Sequence, residues 1–161
     1  MHSKHLVLAA SMLAWMLFST CVLGAQPASA VLVKDAWVRW LPGGLPAGGY
    51  VTLVNTSDQS MSLVGASCPD YGAVSLHRSR TVAGTSRMMP VDKITIAAHS
   101  SLQFASQGYH LMLEQPKKTM QPGDRIPVTL SFAGGAALTV QFELRRPDAG
   151  AEMPDMPGMA H

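Results

Sequence analysis

Short apolar or alternating runs recur along the chain, each broken by Gly, Pro, Asn or Ser, and each predicts a strand. The first runs are Ala36–Leu41, Gly49–Val54 and Met61–Ala66. Ala73–Arg78, Ile94–Ile96 and Leu102–Ala105 follow, and Gly108–Glu114, Ile126–Phe132 and Ala137–Leu144 complete the set. The last two flank Ala133-Gly134-Gly135-Ala136, which predicts a hairpin. No stretch after Ala30 keeps a helical period for about twelve residues. The expected class is all-β, a sandwich or barrel. Leu41–Gly49, LPGGLPAGG, reads as a loop feeding the second strand.

The start departs from this pattern. Lys4 precedes an apolar run from Leu6 to Leu23, and Ala28-Ser29-Ala30 offers a small-x-small cleavage site. Residues 1–30 are read as a secretory signal, so the mature protein is expected to begin at Val31 and to work outside the cytoplasm, in the periplasm. A second cut after Ala25 and an uncleaved anchor are the alternatives. Lipidation at Cys21 is disfavoured by Thr20 before it. The end departs too. After Arg146 the β pattern stops, and residues 147–161 read as a flexible, Met-rich tail. The expected domain is residues 31–146.

Of the 161 residues, 12 are Lys or Arg and 10 are Asp or Glu. Lys4 leaves with the signal, so the mature chain is close to neutral. No basic cluster or stacking platform suggests nucleic acid, and nothing suggests a membrane after cleavage. Cys68 alone remains of the two cysteines. It cannot form an internal disulfide and reads as a small buried residue.

Candidate chemistry comes from which face each residue takes. In a strand, His110 and Met112 share one face, while Tyr109, Leu111 and Leu113 share the other. In GAVSLHRSR, Val74 and Leu76 oppose Ser75 and His77 in the same way. With the aliphatics inward, both histidines are expected on the outer surface or rim. Met88 and Met89 lie between these segments, in SRMMPVD, read as a loop or strand end. His77, Met88, His110 and Met112 would together form a soft donor set suited to Cu(I). The pair H-x-M alone is a weak motif, and methionine is also a common core filler. His99, in AAHSS, reads as an exposed turn residue. Trp37 and Trp40, three apart, are expected on opposite faces, one packed in the core and one on the surface.

The order His77, ten residues, Met88, twenty-one residues, His110, one residue, Met112 resembles the H-x10-M-x21-H-x-M signature of the PCu(A)C periplasmic copper chaperones. DAWVRW, AGGYVTLVN, LVGASCPDYGAVSLH, the MPV after Met88, GYHLML and PGDRIPVTLSF carry the likeness through most of the mature chain. The resemblance implies a cupredoxin-like Greek-key β-sandwich that binds Cu(I) through a surface His2Met2 site. It also implies delivery of copper toward assembly of the CuA site of cytochrome c oxidase. The implied partner is a copper-accepting protein, an oxidase subunit or another copper chaperone, and a monomer is expected.

Two departures stand out. Arg78-Ser79-Arg80 follow His77 where relatives often carry an acidic residue and a Met, so the rim is more basic. Met89 occupies a position where the family commonly has Arg, which makes it a substitute for Met88 as ligand. In the tail, Met153, Met156 and Met159 recur every third residue before His161. The resemblance makes them secondary candidates, with room for Cu(II) there. The alternatives are a cupredoxin-like electron carrier and a metal-free β-sandwich interaction module. The first would need a cysteine near His110, and none is present. No grouping of residues suggests an enzyme.

Overall fold

A computed structural model describes residues 30–147. The expected signal segment, residues 1–30, lies outside them except for Ala30. So does the tail beyond Pro147, with Met153, Met156, Met159 and His161.

Ten strands form in chain order: β1 Val31–Arg39, β2 Ala47–Asn55, β3 Met61–Ser67, β4 Tyr71–Val82 and β5 Thr85–Pro90. Then come β6 Ile94–Ile96, β7 Ser101–Gln103, β8 Tyr109–Pro116, β9 Arg125–Phe132 and β10 Ala137–Arg145. No α-helix occurs among the described residues. The hydrogen-bonded path runs β5-β4-β8-β2-β1-β10-β9-β3-β6, with β7 also on β2. Most neighbours are antiparallel, whereas β1 and β10 pair in parallel through Trp37–Arg39 and Glu143–Arg145. The path folds over, so that β3 packs against β4. This is a cupredoxin-like β-sandwich.

Period-two alternation builds the core. In β9, Ile126, Val128, Leu130 and Phe132 all point inward. In β8, Leu111 and Leu113 are wholly buried and lie opposite Leu76 and Val74 of β4. Val38, Leu53, Leu63, Ile94, Ile96, Phe142 and Leu144 are among the other buried core residues. Each such side chain contributes about 1.5–3 kcal/mol relative to exposure. Cys68 is buried in the same cluster. Trp40 packs against the core, and its indole N–H donates to the Met120 carbonyl at 2.8 Å. Trp37 stays outside the cluster.

One expectation is narrowed and one corrected. SRMMPVD, expected as a loop or strand end, contains the end of a strand, since Thr85–Pro90 pairs with β4 along its full length. The turn between them, Ala83-Gly84, has φ of 50° and 78°. Positive φ at both central residues is the hairpin geometry that matches strand twist, and glycine accepts it readily. LPGGLPAGG is a loop only in its first part, since Ala47–Gly49 already belong to β2. The expected β9–β10 hairpin is present, with φ of 84° and 87° at Gly134 and Gly135.

Candidate metal centre

The inward demand of Leu76, Leu111 and Leu113 fixes the outward set on β4 and β8. His77 and His110 stand directly opposite one another in the antiparallel register. Their ring centroids are 5.9 Å apart and tilted by 44°. Met112 lies opposite Ser75, one pleat along β8 from His110 on the same face. These three side chains occupy one contiguous patch.

Met88 stands apart from that patch. It pairs with Ser79, while Pro90 pairs with His77. Met88 therefore shares the face of His77 as its diagonal neighbour across the strands. Met89 pairs with Arg78 and falls on the opposite face. The two thioethers are 50% and 45% exposed. Met88 flanks the histidine pair from the hairpin side, and Met112 flanks it from the other.

The expectation of two surface histidines is corrected for His110, which is only 3% exposed. The neighbouring β2 explains why this face is closed. Gly49 pairs with Leu111, so the next residue, Tyr50, stands beside His110. A Cβ placed on Gly48 would come within 2.6 Å of the Tyr50 hydroxyl. Only glycine there lets the ring lie back along its own strand, next to Met112. Trp37 packs against Tyr50, with centroids 4.6 Å apart and the rings tilted by 42°. This aromatic pair walls the site on the β2 side.

Two ring nitrogens are buried without any hydrogen-bond partner, His77 Nδ1 and His110 Nε2. The other nitrogen of His110, Nδ1, is 3.2 Å from the Gly108 carbonyl. A carbonyl only accepts, so Nδ1 carries the proton and Nε2 keeps a free lone pair. The same carbonyl accepts the Ser79 N–H at 2.9 Å, which holds the β8 entry against β4. Burial pushes the His110 pKa below the usual imidazole value; His77 adds to this, and the Gly108 bond opposes it. His110 is thus held in one tautomer with Nε2 left free, and the ring directly opposite it on β4 also buries an unpartnered nitrogen, His77 Nδ1.

A buried polar atom left unpaired costs about 1–3 kcal/mol. Two of them on neighbouring rings leave lone pairs that a bound ion could satisfy together. A metal–imidazole bond is about 2 Å long, so the separation of the two rings leaves room for an ion. The donors suit a soft cation. Among the described residues no group of three or more His, Cys, Asp or Glu is placed to hold a metal. The further donors on this face are thioethers, which favour Cu(I) over hard cations or zinc.

Other candidates lie elsewhere. Cys68 is followed by β4, whose rise from Tyr71 to His77 spans about 20 Å, which separates the thiol from the histidine pair. Burial also pushes that thiol's pKa up. His99 is exposed, as expected, and its Nε2 lies 2.8 Å from Asp58. Sequence reasoning did not single out Tyr50, Gly48 or the Gly108 carbonyl as parts of the site. A Gly-Gly pair before an aromatic within a strand was the available signal, since strand glycines often mark close approach.

Comparisons with known proteins agree with this architecture. The LpqE-like family model matches residues 31–144. A protein of Leifsonia xyli subsp. xyli, Lxx21020, named as a candidate lipoprotein, is 32% identical over 121 residues, covering 74% of this chain and 72% of that one. The solution structure of the Cu(I) form of DR1885 from Deinococcus radiodurans superposes with a TM-score of 0.61 at 29% identity, covering 78% of this chain and 84% of that one. The copper-bound PCuAC domain from PmoF2 has a TM-score of 0.61 at 24% identity, over 73% of this chain and 94% of that one. The PmoF2 likeness speaks to fold alone.

Proposed function

The chain belongs to the LpqE-like family, and from that premise we propose that it is a copper chaperone of the periplasm. It binds Cu(I) as cargo through His77, His110, Met112 and Met88, and it passes the ion to an accepting protein. The observation that carries this reading is that two directly opposed histidines each bury an unpartnered nitrogen, His77 Nδ1 and His110 Nε2, with a thioether on the same face. The 29%-identical neighbour whose structure was determined with Cu(I) supports the choice of metal.

The division of labour follows from burial. His110, locked by the Gly108 carbonyl, supplies a fixed donor. Met112, half-buried beside Tyr50, supplies a second. Met88, on the exposed hairpin, supplies the movable one, which an incoming ligand displaces first. Met89, on the far face, takes no part. All four donors are neutral, so the ion's single charge needs no carboxylate nearby. A closed set of four donors leaves no open position for substrate, so transfer rather than catalysis is the role. Delivery toward the CuA site of cytochrome c oxidase is the destination this reading favours, with the chain acting as a monomer. The tail methionines and His161 form a secondary place for copper.

Titration of the mature protein with Cu(I) under reducing conditions tests this. His110→Ala and Met112→Ala should each weaken binding by at least about tenfold. A version ending at Arg146 should still take up one equivalent. Undiminished binding by both variants would rule the site out.

A further inference from the structure

The hairpin that carries Met88 has a second face. In the β4–β5 register, Arg78 opposes Met89, Arg80 opposes Arg87 and Val82 opposes Thr85, so all six lie on the side away from His77. Residues 77–90 hold three arginines and no carboxylate. Like charges directly opposite across a strand pair are destabilising. Neither Arg80 nor Arg87 has a hydrogen-bond or ion-pair partner among the described residues. Arg145, by contrast, pairs with both Asp35 and Glu143. Arg78 is set in place over the Tyr109 ring, 5.0 Å from its centroid.

Apolar groups interleave with these charges. Val82 is 55% exposed, and Met89 joins it on the same face. Arginine and methionine are enriched at protein interfaces. β5 is also an edge strand, which charge protects from pairing with other chains. Edge protection alone does not require two like charges to face each other. Carboxylates from outside would relieve that repulsion, and they would do so one strand thickness from Met88.

We propose that the face formed by Arg78, Arg80, Val82, Arg87 and Met89 is a docking surface for an acidic protein, the one with which this chain exchanges its ion. The exchange role rests on the copper reading above, whereas the docking itself does not. Charge complementarity of this kind mainly speeds encounter and fixes orientation. It would bring the acceptor to the hairpin that holds the most exposed donor.

The test uses the mature chain and a fluorescent peptide in which a Met-His pair is flanked by glutamates, with a glutamine-flanked peptide as reference. By anisotropy at low salt, the metal-free protein should bind the glutamate peptide at least about tenfold more tightly than the glutamine one. Arg80→Gln/Arg87→Gln should abolish that preference, and Lys93→Gln/Arg125→Gln, with equal charge removed elsewhere, should keep it. Loss of the preference in both double variants, or in neither, overturns the proposal. So does binding that depends on the arginines for phosphatidylglycerol vesicles but not for the peptide. Cu(I)-loaded protein should also transfer its ion faster to the glutamate peptide. Equal transfer rates overturn the exchange role. A chain that docks the peptide but takes up no Cu(I) refutes the copper reading and leaves the docking surface standing.

Discussion

His110 concentrates the chemistry of the molecule in one side chain. Its Nδ1–H is committed to a carbonyl, its Nε2 is unpaired, and burial holds its pKa below 6.5. In the unfolded chain the ring would take a proton at that ordinary value. Between the two pKa values the unfolded state binds more protons, so stability rises with pH there. The contribution is fully present above about pH 6.5 and is lost as pH falls through the folded value. The urea midpoint of the metal-free protein should therefore drop on going from about pH 7 to pH 5, and less steeply in His110→Gln. An equal slope in the variant would assign the dependence to other groups. Ligation follows the same direction, because a neutral ring binds metal and a protonated one does not. A depressed pKa keeps His110 competent in mildly acidic surroundings. The pairing of His110 and Met112 on one face was legible from the two-residue period alone. Its burial was not, because that depends on Tyr50 lying back over Gly48, a contact between strands distant in sequence.

Among the elements, the β4–β5 hairpin decides how the second thioether is presented. Sequence patterning reached no further than a loop or strand end at β5 because every residue in it is exposed, so no buried face alternates with a polar one. The turn signal was weak as well, since Ala83 occupies a position where Asn or Asp would have announced the hairpin. Strands with a buried face, such as β8 and β9, were legible nearly to their ends. Once the hairpin is seen, Met88 and Met89 separate by face, which spacing alone could not achieve. Met88→Ala should speed Cu(I) loss to a chelator by at least about tenfold, while Met89→Ala should leave it near wild type. The reverse ranking would place the ligand on the other face. β2 makes an equally specific demand. Gly48→Ala should displace the Tyr50 ring and destabilise the metal-free protein by about 1–3 kcal/mol, read from denaturant midpoints and tyrosine fluorescence. A silent substitution would mean that the ring is free to move and does not wall the site.

At the scale of the whole molecule, a core with no disulfide among the described residues carries stability, and the proposed site sits on its outer skin. Truncating Leu111, the inward neighbour of both His110 and Met112, should remove about 2–5 kcal/mol from the metal-free fold. Binding adds to that stability by mass action, about 2.7 kcal/mol when free Cu(I) is a hundredfold above its dissociation constant. The all-β class could be read along the chain, as could the spacing of the four residues proposed as donors. The parallel β1–β10 pairing that joins the two halves could not, because parallel neighbours leave no local signal. Copper K-edge X-ray absorption on the Cu(I)-loaded chain tests the central claim most directly. Nitrogen and sulfur scatterers should appear together, with imidazole multiple scattering, and the sulfur signal should fall in Met112→Ala. A shell of nitrogen and oxygen alone, or one unchanged in both His77→Ala and Met112→Ala, would contradict it.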